Sequence, residues 1–598
     1  MIRFNTIALL AALASQAISA QAPLSKGELE LLNKARERSS ALLEADRGGP
    51  SEILSVGSGA ACDFSSLGAA LTAAQSNAEI RLESGSYSGP FVAGDKSLEL
   101  IGGYPDCSSS QPSGQSILDG NNSATVLTLL SQNDSTSIEL ENLIIRNGSG
   151  SGLAGGLDIR GGLVVILRNV SIRSSATASN GGGMRVAHST DTSGAVVLML
   201  DQSSIGQNSA TDNGGGMACI GDGGAQHIVI FDSGLIGNND AGENGGGVYA
   251  SNCAFVSLAG GFLQGIVGNS ATRGGGLYGT NNSQMTLDGT APGFITPGDP
   301  FSSANLIGND ANMGISAVYI TGSDSRFRAV DSDIAQHDGF VILAEDGAEV
   351  VIERGPDTDC RRYESSLSPA PCSRLRDNTG RLIRVEGEST SVRITQTFVQ
   401  HYTPQSSFVI PVFELDGFDV QTGQHTMELE GVVMDVNLNG QPLFWTSGNS
   451  EVNMAWSTIN GTSNDRPDDV PRFPVFFGAS TTNVRSSLIW IPDTELASSN
   501  SPLDLDCTIA SELDSVSQST RSVVADPMFL DPENGDFHLH PDSPAVDFCD
   551  DSVSQPQYAD MDNETRGIPN SAAGVSTPFD IGADEMLDRI FADRFQSP

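Results

Sequence analysis

Eight arginines are concentrated in one short segment of a strongly acidic chain. The 598 residues include 73 Asp and Glu against 31 Lys and Arg, which gives a formal net charge of −42 at pH 7. The arginines between residues 353 and 395 are Arg354, Arg361, Arg362, Arg374, Arg376, Arg381, Arg384 and Arg393. Because guanidinium groups bind carboxylate and sulfate groups through paired hydrogen bonds, this segment predicts a contact with an anionic glycan.

Four of these arginines are the candidate ligand-binding residues, because a predicted disulfide would hold them in or beside one loop. They are Arg361, Arg362, Arg374 and Arg376. An alternative stays open, in which the interleaved acidic residues neutralise the arginines locally. Those acidic residues are Asp357, Asp359, Glu364 and Asp377.

A second group of candidate ligands lies near the C-terminus, where Asp560, Asp562 and Glu564 occupy alternate positions. Calcium-binding loops space their oxygen ligands in this way. The other ligands of an EF-hand loop do not follow in the sequence, and a turn in which Asp562 binds Arg566 is the simpler alternative. The sequence therefore leaves calcium open as a cofactor and indicates no other.

Eight cysteines are typical of a chain that folds in an oxidising compartment. We predict three disulfides, which join Cys62 to Cys107, Cys360 to Cys372 and Cys507 to Cys549. Cys219 and Cys253 are left undecided between a fourth pair and buried free thiols. The sequence contains no CxxC pair and no Cys/His spacing of a metal site.

The N-terminus has the pattern of a secretory signal peptide. A basic start at Arg3, an apolar run from Ile7 to Leu13 and small residues up to Ala20 predict cleavage before Gln21. We expect an exported protein, located outside the cell or on the outer-membrane surface. No later segment approaches the roughly 20 apolar residues of a membrane helix, so no transmembrane segment is expected after cleavage. The acidic composition argues against nucleic acid as a partner.

A sequence repeat predicts the secondary-structure elements that hold the candidate binding residues in place. An aliphatic residue, an Asn three positions later and an Ala two positions after that recur four times, at intervals of 31, 30 and 40 residues. Three copies lead into a glycine triplet and an apolar run. The repeated asparagines are Asn208, Asn239, Asn269 and Asn309. Periods of this size indicate stacked repeats.

The repeat predicts strands because nothing in it has helical spacing. Its apolar runs are four to six residues long and are bounded by Gly, Asn, Asp and Ser, as in strands joined by tight turns. Glycine and asparagine tolerate the corner conformations, and stacked asparagines can form an amide ladder. We therefore predict an all-β parallel β-helix. A capping box at Ser25 and Glu28 adds an amphipathic helix over residues 25–45 as an N-terminal cap or stalk.

The repeat resembles those of polymorphic outer membrane proteins and of right-handed parallel β-helix repeat proteins. The segment from Asp63 to Tyr104 resembles the start of pectate-lyase-like β-helices, in which a short helix covers the first coil. The sequence motifs around Asp526, Asp542, Asp560 and Asp580 resemble those of the choice-of-anchor Q module of exported proteins. The resulting organisation is a signal peptide over residues 1–20, a helix or cap over 21–50, a right-handed parallel β-helix over 51–525, the terminal module over 526–586 and a tail over 587–598.

These patterns favour a non-catalytic protein that presents a side face to a polysaccharide or a cell-surface glycan. The hydrolases with a β-helix fold usually carry the motifs Gly-His-Gly and Arg-Ile-Lys, and neither motif occurs in this sequence. The seven histidines are scattered, so we name no catalytic residue. The alternative is a carbohydrate-active enzyme, namely a calcium-assisted lyase that acts on an anionic polysaccharide, with one arginine of the basic segment as the base.

Overall fold

The structure, a computed structural model, describes most of the chain after residue 49. The described residues are 50–187, 194–222, 226–232, 234–258, 265–289, 304–311, 316–355, 373–402, 408–418, 423–462, 472–550, 560 and 578–583. The chain divides into two compact units, of which the first holds residues 1–297 and 304–327 and the second holds residues 298–303 and 328–598.

One coil of the first unit illustrates how the repeat folds. Its four strands are Val196–Leu200, Ser204–Gly206, Ser209–Ala210 and Met217–Ile220. Each strand pairs in parallel with the equivalent strand of the next repeat; Ile205 is opposite Ile236 and Met217 is opposite Val248. Pairing that advances by one repeat at every strand is the pairing of a parallel β-solenoid.

The strands of the first unit form three sheets in which all neighbours are parallel. The largest contains Glu52–Val56, Ala78–Glu83, Ser86–Ser88, Leu98–Tyr104, Ser116–Asp119, Ser137–Arg146, Val164–Arg173, Val196–Leu200, Ser204–Gly206, His227–Phe231, Leu235–Gly237, Cys253–Leu258, Gly265–Val267, Gln284–Asp288 and Ala304–Ile307. The second contains Phe91–Gly94, Leu127–Ser131, Leu157–Gly161, Met184–Ala187, Met217–Ile220, Val248–Ser251, Leu277–Thr280 and Val318–Thr321. The third contains Ser149–Gly150, Ala176–Thr177, Ser209–Ala210, Asp240–Ala241, Ser270–Ala271 and Asp310–Ala311.

The repeated asparagines form a buried amide ladder inside the first unit. The Asn208 amide donates to the Asn239 side-chain oxygen at 3.0 Å, and Asn239 donates in the same way to Asn269 at 2.9 Å. Asn269 then donates to Asn309 at 2.9 Å. Each amide also donates to a main-chain carbonyl, so these buried polar groups are satisfied across the stack.

The glycine triplets close the coils because no side chain fits beside the next backbone. Gly214 has φ of +67°, which favours glycine, and a Cβ on Gly215 would lie 2.4 Å from the Asp240 carbonyl oxygen. The corresponding glycines Gly245 and Gly246 have the same properties. The triplets are thus required by the close stacking of consecutive coils.

One α-helix, Leu67–Ala73, occurs among the described residues. The Ser66 hydroxyl caps its N-terminus, and Leu67, Ala70 and Leu71 are buried. The second predicted helix, over residues 25–45, lies outside the described residues. In the part of the chain that the structure describes, no helix has the length and apolar character required to cross a membrane.

The second unit contains two all-parallel sheets, which we call the cleft sheet and the arginine sheet. The chain enters this unit within the strand Arg326–Val330. The cleft sheet contains Ser332–Ala335, Glu349–Glu353, Arg374–Thr379, Ser391–Thr395, Phe398–Tyr402, His425–Glu430, Val433–Asn437, Ser450–Ala455, Thr458–Thr462, Thr481–Arg485, Leu488–Trp490, Leu503–Asp506, Ile509–Ala510, Gln518–Thr520 and Val523–Val524. The arginine sheet contains Phe340–Glu345, Arg381–Glu386, Phe413–Gly417, Phe444–Gly448 and Phe476–Gly478.

Two small antiparallel pairs follow these sheets. Phe529–Asp531 pairs with Asp536–Leu539 across a 3-10 turn at Pro532–Asn534, and Cys549–Asp550 pairs with Pro578–Phe579. Leu539, Ala545, Phe579 and Ile581 pack in a core with Trp456, Leu488 and Ile509 of the cleft sheet and its turns. Residues of both antiparallel pairs therefore share one hydrophobic core with the cleft sheet.

Three disulfides are present among the described residues, and they indicate an oxidising compartment. Cys62 is bonded to Cys107, and Cys507 is bonded to Cys549, as the sequence predicts. The pairing that the sequence leaves undecided is also a disulfide, between Cys219 and Cys253. The remaining predicted pair, Cys360 with Cys372, lies outside the described residues.

Candidate functional site

The predicted basic site is only partly within the described residues. Arg361 and Arg362 fall in the segment 356–372, outside them. Arg374 and Arg376 lie on one strand of the cleft sheet, Arg374–Thr379. Arg376 contacts Asp333 and Asp377, each at 2.6 Å, so at this arginine the charge is neutralised locally. The guanidinium of Arg376 is thereby occupied by protein carboxylates rather than left for a ligand.

Two arginines from the same segment take part in a different group on the arginine sheet. Arg381 contacts Glu414 at 2.5 Å, and Arg384 contacts Glu386 at 2.5 Å. Both guanidiniums lie over the Phe340 ring, at 4.9 Å and 5.5 Å from its centroid. We call this group the arginine–carboxylate cluster, which comprises Phe340, Glu345, Arg381, Arg384, Glu386, Glu414 and Asp416.

Two carboxyl groups of this cluster face each other directly. Glu345 and Glu386 are opposite residues on neighbouring parallel strands. Like charges at such positions repel, and a shared proton relieves the repulsion. Burial, together with the hydrogen bond to Glu345, raises the pKa of Glu386 from 4.5 to about 7. Beside Arg384, this pair can hold or release one proton near neutral pH.

Aromatic side chains continue the same face of the arginine sheet. Trp445 is the register partner of Glu414, and Phe477 is the register partner of Trp445. The Trp445 and Phe477 rings are 4.9 Å apart. Phe418, which directly follows the strand that carries Glu414 and Asp416, is 78% exposed. Rings of this kind offer apolar faces on which sugar rings can stack.

A cleft of about 920 Å³ lies against the cleft sheet. This volume is in the range of small-molecule sites, roughly 300–1,000 Å³. The lining residues from the strands and the loops between them are Asp377, Asn378, Thr379, Gln400, His401, Asp435, Val436, Asn437, Asn460, Gly461, Thr462, Trp490 and Pro492. The opposite wall contains Asp526, Met528, Phe529, Pro532 and Glu533, from the first C-terminal hairpin and the residues before it.

The cleft is built around one row of side chains that points away from the core. Gln400 is the register partner of Asp435, Asp435 of Asn460, and Asn460 of Trp490. Neighbouring strands in a sheet lie about 4.8 Å apart, so the row presents two amides, a carboxylate and an indole at regular intervals. These groups combine hydrogen bonding with an apolar surface, which is the composition of a polar ligand site.

Asp435 is the half-buried carboxyl group in the middle of this row. Burial raises its pKa, and a hydrogen bond from Asn460 partly opposes that effect. A desolvated carboxylate is costly unless hydrogen bonds or a positive charge compensate for it. Asp435 is therefore the position in the row at which a bound group would gain most from interacting with the chain.

His401 borders the cleft, but its side chain points into the coil, because it directly follows the outward-pointing Gln400 on the same strand. It is only 3% exposed. Its Nε2 lies 2.9 Å from the Gly380 carbonyl oxygen, which can only accept, so Nε2 carries the proton. The other nitrogen, Nδ1, has no hydrogen-bond partner among the described residues. Burial lowers the pKa of His401 to about 4, so the ring is neutral at physiological pH and Nδ1 is an acceptor.

Of the three predicted calcium ligands, Asp560 is among the described residues. Asp560 is buried, and its main-chain carbonyl accepts hydrogen bonds from Arg354 at 3.0 Å and from Gln396 at 3.2 Å. Asp562 and Glu564 lie outside the described residues. The calcium site therefore stays a prediction.

Sequence reasoning did not find the cleft, although one signal was present. Gln400, Asp435, Asn460 and Trp490 are separated by 35, 25 and 30 residues, because the later coils differ in length. The signal is a polar residue at an outward position of a strand with alternating apolar residues, found in several successive coils. Its phase becomes readable only when the strand register is known.

Comparison with protein-family models and with curated proteins does not assign the chain to a family. No protein-family model matches the chain. A comparison with curated proteins likewise gives no significant match. The geometry of the two surfaces is therefore the ground for a functional proposal.

Proposed function

We propose that this protein is an exported β-helix protein that binds a glycan in the cleft of its second unit without cleaving it. The observation that supports this function is the row Gln400, Asp435, Asn460 and Trp490 along one wall of an open cleft. Amides and carboxylates bond sugar hydroxyl groups, while the indole face packs on the apolar face of a sugar ring. A chain of sugars can follow successive strands of such a wall.

The proposal also includes the handedness of the coils, the cap at the N-terminal end and the location of the protein. We take the coils to be right-handed, because crossovers between parallel strands almost always have this hand. The helix Leu67–Ala73 would cover the first coil and, with the helix predicted over residues 25–45, protect the exposed strand edge. The resemblance to choice-of-anchor Q modules supports a location outside the cell or on the outer-membrane surface, with a cell-surface glycan or polysaccharide as partner.

The direct test is retention of the full chain on immobilised hexasaccharides of chitin, chitosan, cellulose and oligogalacturonate. Trp490→Ala should weaken binding about tenfold, since the stacking surface of the row is lost. Trp445→Ala is the matched control, because it makes the same change at a half-exposed indole outside the cleft. Retention of the wild type on none of the sugars contradicts glycan binding, and a loss confined to Trp445→Ala contradicts the cleft as the site.

A carbohydrate-active enzyme is the second candidate, favoured by the Glu345 and Glu386 carboxyl pair beside Arg384. A hydrogen-bonded carboxyl pair that shares one proton can act as general acid and general base toward a bound water. New reducing ends from the same hexasaccharides, lost in Glu386→Gln, would support this function. Absence of product from all four sugars argues against it.

The calcium-assisted lyase is a separate version of this candidate, in which one arginine of the basic segment is the base. Its product would carry unsaturated uronate absorbance, and its activity on oligogalacturonate would require calcium. A variant with Arg361, Arg362, Arg374 and Arg376 all changed to Ala should abolish that absorbance. A constant zero rate with calcium present argues against the lyase.

A further inference from the structure

The cleft is acidic, and this charge restricts which glycan it can accept. Its lining includes Asp377, Asp435, Asp526 and Glu533, and no Lys or Arg is among the described lining residues. Arg376 lies beside Asp377 and compensates that carboxylate, so three lining carboxylates remain. A uronate or sulfated sugar would meet like charge on both walls of the cleft, and a cationic sugar would meet opposite charge.

The carboxyl group in the middle of the row points to the same kind of ligand. Asp435 is half-buried, and it can only accept hydrogen bonds when it is ionised. A ligand that satisfies it must bring donors, and an ammonium group supplies three.

We propose that the cleft binds an oligosaccharide of amino sugars whose amines are free and protonated, with one ammonium group on Asp435 and a sugar ring against Trp490. This inference rests on the proposed function, because it names the class of glycan for the same cleft. The ammonium would provide the positive partner that the desolvated Asp435 carboxylate lacks. Asn460 and Gln400 would bond the hydroxyl groups of the sugar.

Two hexasaccharides with the same backbone test this assignment. Chitosan hexamer carries free amines, and chitin hexamer carries N-acetyl groups, so the pair differs in charge and in the acetyl groups. Titration calorimetry of the full chain should give about tenfold tighter binding of chitosan hexamer at low salt. The difference should shrink as salt is added, because screening weakens charge pairing.

Variants connect the preference to named groups. Asp435→Asn should remove the preference for chitosan hexamer, because it removes the carboxylate that pairs with the ammonium group. Asp542→Asn is the matched control at an aspartate whose side chain is 85% exposed, outside the cleft, and it should change the binding of neither hexamer. Unfolding midpoints of each variant verify that the chain is folded.

Three outcomes would overturn the inference. Equal affinity for the two hexamers, or tighter binding of oligogalacturonate, contradicts the amino-sugar assignment but leaves glycan binding in the cleft intact. Preserved preference in Asp435→Asn contradicts the role of Asp435. Binding of none of the sugars contradicts both this inference and the proposed function, so the two failures are distinguishable.

Discussion

Two rows of polar residues, one in each unit, are used in opposite ways. In the first unit, Asn208, Asn239, Asn269 and Asn309 point into the stack and bond one another. In the second unit, Gln400, Asp435 and Asn460 point outward and line a cleft. The first row recurs with the sequence repeat, whereas the second has no fixed spacing. The first row therefore serves the fold, and the second is available for a ligand.

The largest expected effect that tests this comparison is in the ladder. Asn239→Ala removes two hydrogen bonds that its oxygen accepts from Asn208 and two that its amide donates, to Ile205 and Asn269. Because buried partners are left unsatisfied, we expect a loss of about 3–5 kcal/mol in the stability of the first unit. This loss is measured by chemical unfolding of the chain, with limited proteolysis as the readout of the first unit. A loss below about 1 kcal/mol would contradict a structural role.

The Cys219–Cys253 disulfide is the next largest contribution we expect to the first unit. It connects two of its parallel sheets. The double variant Cys219→Ala/Cys253→Ala should lower stability by about 2–4 kcal/mol, since the unfolded chain regains loop freedom. The wild type under reducing conditions, compared with the same variant, is the control. Identical unfolding of the oxidised wild type and the variant would refute the prediction.

The carboxyl pair of the second unit should give a pH-dependent effect of intermediate size. The pKa of Glu386 is raised to about 7 in the folded chain, so its contribution is complete below about pH 4 and is lost as pH rises through 7. Because the group is partly exposed, we expect a loss of only about 1–2 kcal/mol. Thermal unfolding at pH 5 and pH 8 measures it.

Glu386→Gln is the control for that measurement, because the amide resembles the protonated carboxyl group. The variant should lose less stability than the wild type between pH 5 and pH 8. An equal loss in both proteins would show that other groups cause the pH dependence.

The smallest expected effect on stability is at Asn460, which is the outward counterpart of Asn239. Asn460→Ala removes a half-buried amide, so we expect a change within about 1 kcal/mol. The same variant should raise the pKa of Asp435 further, because the hydrogen bond from Asn460 opposes the effect of burial. Titration of the Asp435 carboxyl by NMR measures this. A destabilisation equal to that of Asn239→Ala would remove the distinction between the two units.

Much of the fold could be predicted because its signal is local and repeated. The repeated asparagines recur at intervals of 31, 30 and 40 residues and the glycine triplets at intervals of 33, 31 and 29, and each position has one physical reason to be there. The site could not be predicted in this way. Arg376 is neutralised by Asp333, 43 residues earlier, and Arg381 contacts Glu414 on the next coil. The sequence shows a basic segment, while the register decides which arginines remain available.

The wall of the cleft shows the same limit in another form. Met528, Phe529 and Pro532 belong to a hairpin that follows the cleft sheet in the chain, and its packing is not encoded in the coil repeat. The sequence shows the motif that forms this hairpin, but it does not show where the hairpin packs against the strands. The volume of the cleft depends on that place.

The asparagine ladder of the first unit also gives the stack an electrical direction. Every amide donates toward the later repeat, from Asn208 through Asn239 and Asn269 to Asn309, and at the start the Ser175 amide donates to the Asn208 oxygen. Aligned amide dipoles polarise one another, so each additional member strengthens those already in line. A duplicated repeat inserted in the chain direction would extend this array and satisfy both neighbours. The number of coils in this unit can therefore change in evolution by repeats that each carry their own asparagine. The 40-residue interval between Asn269 and Asn309 keeps the line continuous, so the length of a coil can vary without breaking it.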